Sequence, residues 1–115
     1  MTTVSFNGGR FFDRFLMWKD MVKNYEKELD ILAPEAAFFH ESKMLLVEMR
    51  NRLEILITDL DQAQRFLFEK YKGKEEAIEQ EDVLQTNKFR ERIRRLEQET
   101  FLAKLKIGKI VKKAS

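Results

Sequence analysis

The feature that most constrains this chain is a sustained spacing of apolar residues by alternating steps of three and four. Phe11, Phe15, Trp18, Val22, Tyr25, Leu29 and Leu32 follow it. So do Phe39, Ser42, Leu46, Met49, Leu53, Leu56, Leu60, Ala63 and Leu67. A third run comprises Phe89, Ile93, Leu96, Thr100, Ala103, Ile107 and Ile110. A repeat near 3.5 residues keeps one seam of an α-helix turned toward a neighbouring helix along its whole length. Phe12, Leu16, Met21 and Ile31 widen the first stripe, and Phe38, Leu45, Ile57 and Phe68 flank the second. A wide stripe belongs to a bundle helix rather than to a strict two-stranded coil.

Breakers are few: Pro34 and four glycines. A small β-protein needs many turns, which this chain cannot supply. The spacing predicts an all-α, elongated antiparallel three-helix bundle or helical hairpin with heptad packing. Its helices are expected over about 10–33, 35–72 and 80–113, as one domain over 10–115. Asn7-Gly8-Gly9 is a turn signal, so 1–9 are expected to form an N-terminal arm. Proline disfavours the α region in the residue before it and suits the first position of a helix. Ala33-Pro34 therefore reads as the corner between the first two helices. Lys72-Gly73-Lys74 breaks the second seam, and the polar stretch 74–88 is compatible with either loop or helix. The second helix is expected to outrun the first, leaving surplus length for partner binding.

Chemistry-bearing motifs are missing from the pattern. There is no cysteine, which removes disulfide, thiol and thiolate-metal chemistry. His40, the only histidine, begins no zinc motif, since His40-Glu41 is followed by Ser42-Lys43-Met44. No glycine-rich phosphate loop is present. The expectation is a non-enzyme without cofactor, metal or small-molecule substrate. The N-terminal residues lack the pattern of a secretory signal, and no apolar run approaches a membrane span, so a soluble, cytoplasmic protein is expected. Net charge is +2 beside 43% hydrophobic residues, a balance that favours folding over disorder.

A chain of this kind works by contact. Trp18, Phe38, Phe39 and Phe68 are candidate partner-binding residues, because aromatic side chains dominate interface hot spots. Trp18 lies on the first seam and reads first as core, while Phe38 and Phe39 cannot share one helix face, so one is expected to cap the bundle end or to stand exposed for binding. Met17, Met21, Met44 and Met49 read as core. Arg90, Arg92, Arg94 and Arg95 form a basic cluster, and Lys104, Lys106, Lys109, Lys112 and Lys113 follow, with every charge after Glu99 positive. These nine are candidate anion or nucleic-acid contacts, whose binding would weaken steeply with salt. A membrane surface is a weaker option, and an acidic protein surface an equal one. The acidic stretch between Glu75 and Asp82 is a candidate attractor for the basic end of a second copy.

The words Glu41-Ser42-Lys43-Met44, Arg52-Leu53-Glu54 and Asp59-Leu60, with Tyr25-Glu26-Lys27-Glu28 before them, partly resemble tubulin-binding cofactor A. That family comprises small three-helix chaperones of β-tubulin folding. The resemblance implies a three-helix architecture and a helical binding surface, with tubulin as the implied partner. The best-supported function is a helical interaction module: an adaptor, assembly factor or chaperone-like subunit that binds another protein or a second copy of itself. A nucleic-acid-associated accessory protein is the alternative.

Overall fold

In the computed structural model, the backbone is described for residues 2–114 and side chains for 11–113. Three long helices form an antiparallel bundle: α1 (Thr2–Ala36), α2 (His40–Tyr71) and α3 (Gln80–Ala114). A single 3-10 turn, Glu75–Ala77, lies between the last two. Every pair of helices packs together. The bundle measures 62 × 23 × 19 Å, with a radius of gyration of 17.9 Å, against about 13 Å for a compact domain of 100 residues. No helix among the described residues is long and apolar enough to cross a membrane.

The seams are the core. Phe15, Val22 and Leu29 of α1, Leu53, Leu56 and Leu60 of α2, and Ile107 of α3 are fully buried. The edges of the stripes differ from expectation. Phe12 is buried, but Leu16 is 53% exposed and Ile31 76%. Met49 is buried, whereas Met17 and Met44 lie on the surface. A bundle of three helices has room at its centre for one narrow seam from each, so residues beside the seam turn outward.

Two boundaries are corrected. Residues 2–9 belong to α1 rather than to a separate arm. Pro34 lies inside the last turn of α1 instead of opening the next helix. Proline leaves the Asp30 carbonyl without its i+4 donor, and α1 ends two residues later at Ala36. The turn closes through backbone bonds from Ala37 to Ala33, Phe38 to Glu35 and Phe39 to Ala36. The Ser42 hydroxyl donates 2.7 Å to the Ala36 carbonyl oxygen. Both residues are fully buried, so this seam position ties the corner together instead of filling it with hydrocarbon. At the other end of α2, Lys72 takes a left-handed conformation with φ 53°, ending the helix as a glycine more often does.

These corrections equalise the helices. α1 has 35 residues and α2 has 32, so the expected surplus of the second helix is not there.

The connection between α2 and α3 is held by long-range bonds. The Glu75 carboxylate accepts the backbone N–H of Phe11 at 3.0 Å and of Phe12 at 3.0 Å. Asp82 accepts from Lys70 at 2.9 Å and from the Tyr71 hydroxyl. Tyr71 and then Lys70 hold the Asp82 carboxyl below the ordinary carboxylate range. Glu75 and Asp82, two of the acidic residues in the stretch expected to attract a second copy, are thus engaged within the chain. Glu75→Ala removes this tie between the connection and α1, and should cost about 1 kcal/mol in chemical denaturation.

Candidate functional site

An antiparallel three-helix bundle has three outer grooves, and here they differ. The α1–α2 groove is bridged by polar contacts. Lys19 donates to Asp61 at 2.8 Å and to Gln64 at 2.9 Å, and Arg50 pairs with Asp30 at 3.3 Å. Glu26 sits among these contacts, with one carboxylate oxygen buried and unpartnered. Burial, and then the neighbouring Glu54, raise its pKa from 4.5 to about 7; Arg50 opposes this and Asp30 adds to it. The fold therefore favours the protonated form. Its contribution to stability is full below about pH 4.5 and is lost as pH rises through about 7. Glu26→Gln should raise stability by about 1 kcal/mol at pH 8, after discounting for solvent, with the gain vanishing in acid. Urea denaturation at a series of pH values measures it.

The α1–α3 groove is apolar toward the C-terminal end of both helices. Glu28, Ile31, Leu32, Phe101, Lys104 and Leu105 line a 280 Å³ depression. A second of 320 Å³ shares Leu32 and continues past Gly108 and Val111. Ile31, Phe101 and Leu105 are 76%, 57% and 48% exposed. Leu102 is also exposed, one helical turn from Leu105 on the outside of α3. Lys104 reaches across to Glu28 at 2.6 Å. A methyl group at Gly108 would meet nothing within 4 Å, so the backbone there is open to close approach.

The α2–α3 groove is a longer trough. Depressions of 230 and 460 Å³ adjoin in it at Arg92, and a 660 Å³ hollow lined by α2 alone meets the first of them at Arg52. Ion pairs from Arg52 to Glu99 at 2.7 Å and from Arg92 to Asp59 at 3.0 Å cross it. Exposed Ile55 and Phe66 stand along it.

The expected partner-binding residues do not form one surface. Trp18 is buried against Phe15 and Phe89, with Arg14 over its ring at 4.9 Å, so it serves the core. Phe39 is half-buried at the start of α2, and Phe38 is 82% exposed at the corner. Phe68 is half-exposed and packs edge-on against Phe12. At 1.5 Å per residue, Phe38 and Phe68 lie roughly 45 Å apart. The residues that do cluster are Ile31, Phe101 and Leu105. Their signal was present as large apolar side chains beside the seam, a position equally consistent with core.

The basic residues also divide. Arg92, Arg94 and Lys104 are paired, with Asp59, Glu91 and Glu28. Burial and neighbouring Arg90 lower the pKa of Arg14, which places Arg90 on the α1 side. Lys112 also has an interaction. Arg95, Lys106, Lys109 and Lys113 form no ion pair among the described residues. No protein-family model, curated protein or solved structure matches the chain.

Proposed function

We propose that this protein is a non-enzymatic helical interaction module, a subunit or adaptor that docks an amphipathic helix of another protein in the α1–α3 groove. One observation carries the reading: Ile31, Phe101 and Leu105 are large, exposed and gathered on one groove. Exposed apolar clusters of this kind mark interaction sites, whereas scattered surface apolar residues do not. An amphipathic helix suits such a groove, burying its own apolar stripe there and adding a fourth member to the bundle.

The test is capture of partners from the source cell's lysate by wild type and by Ile31→Asp and Phe101→Asp variants. Both positions are exposed, so both variants should fold with unchanged helicity. A stoichiometric protein retained at high salt by wild type and lost from both variants is the expected result. Equal capture by all three overturns the reading. Tubulin as that protein would unite it with the resemblance to tubulin-binding cofactor A.

A second reading is supported by the spacing of Lys88, Arg92, Arg95, Lys106, Lys109 and Lys113 on one stripe of α3. Such a stripe would contact phosphates of nucleic acid. Retention that disappears with nuclease and with salt would favour it.

A further inference from the structure

The α2–α3 trough carries a second pattern, separate from the groove assigned above. Glu41, Leu45, Glu48, Arg52, Ile55, Asp59, Gln62, Phe66 and Glu69 follow one another along α2 by alternate steps of four and three. Lys88, Arg92, Arg95, Glu99, Leu102, Lys106, Lys109 and Lys113 do the same along α3. Each run is an outer heptad stripe beside the core seam, of the kind that faces another helix. The α2 stripe is predominantly acidic and the α3 stripe predominantly basic. The Arg52–Glu99 and Arg92–Asp59 pairs set the register between them. That register places Glu41 and Glu48 at the same end of the bundle as Lys106 and Lys109. Among the described residues none of these four forms an ion pair.

We infer that the trough is a self-association surface: a second copy packs on it about a twofold axis running along the bundle, its α3 over α2 and its α2 over α3. This operation lays each acidic rim on a basic rim at the same height. Glu41 and Glu48 then face the second copy's Lys106 and Lys109, and Ile55 and Leu102 lie between the charges. Each helix of the four gains antiparallel neighbours on both sides, the arrangement of a four-helix bundle. The opposite orientation, with each helix against its own copy, sets Glu41 near Glu69 and opposes acid to acid. Size also fits. The 32 residues of α2 span about 48 Å, and with a width of roughly 20 Å the face offers about 900 Å² per copy. Stable dimers bury about 800 Å² per partner.

Sedimentation analysis tests the inference on the intact chain. Wild type should sediment at twice the 13.8 kDa chain mass, and salt should weaken the association. Two double variants reverse the rims: Glu41→Lys with Glu48→Lys, and Lys106→Glu with Lys109→Glu. Each alone should raise the dimer dissociation constant by at least about tenfold, through like charges at both contacts. An equimolar mixture of the two should restore the dimer, because each reversed rim then meets its complement. Restoration cannot come from misfolded chains. A wild-type monomer at about 100 µM and low salt overturns the inference, as does a dimer indifferent to the reversals or a mixture that stays monomeric. None of these outcomes bears on capture through Ile31 and Phe101, so failure of one reading is distinguishable from failure of the other.

Discussion

Leu53→Asp should abolish the folded state. Leu53 is fully buried midway along α2, next on the seam to Leu56, which is also fully buried. An aspartate there loses the transfer energy of the leucine side chain, leaves a cavity and brings in a carboxylate with no partner. The first two effects alone cost about 3–5 kcal/mol in a Leu→Ala change. A buried carboxylate adds several more, or escapes ionisation by taking up a proton. A small domain has about 5–15 kcal/mol in total, so the sum reaches the whole stability. Circular dichroism should show loss of most helicity at neutral pH, with partial recovery in acid as the carboxyl protonates. Leu56→Asp should behave alike. Unchanged helicity and melting temperature in both would refute the seam.

Phe15→Ala should be the costliest simple truncation. The ring is fully buried. It meets Phe11 at 6.0 Å, Trp18 at 5.8 Å and Phe89 at 6.2 Å, in edge-to-face arrangements. This cluster joins α1 to α3 near the α2–α3 connection. Removing a buried phenylalanine costs about 3–5 kcal/mol, and each lost aromatic pair about 0.5–1 kcal/mol of it. A fall of roughly 20 °C in Tm is expected for a domain of this size. Thermal unfolding followed by circular dichroism measures it. Phe15→Leu, which keeps most of the volume, should lose less than half as much.

Much of the fold is legible in the residues because helix packing repeats locally. A seam is written every three or four positions, and Leu46, Met49, Leu53, Leu56 and Leu60 are buried as that spacing requires. Breakers were less reliable. Pro34 marked a corner two residues early, because a proline costs a helix one backbone bond without always ending it on the spot. Asn7-Gly8-Gly9 suggested a boundary inside what is helix.

The candidate interfaces were harder to read. Ile31 and Ile57 look equivalent beside their seams, yet Ile57 is half-buried and Ile31 is 76% exposed. The difference lies in which neighbouring helix stands over each residue, and no local spacing records it. Trp18 had the chemistry of a hot spot and the position of a core residue, and packing by Phe89, far along the chain, decided it.

By itself, then, the sequence determined helicity, the number of helices and which residues meet at the centre, because these follow from periodicity along one chain segment. The tertiary structure alone decided which outer stripes remain open, which charges are consumed in pairs, and how the connection is anchored. Glu75 bonds to amides 63 and 64 residues away, and Lys104 pairs with Glu28 across 76. Contacts of that separation depend on the register and rotation of whole helices, which only packing sets.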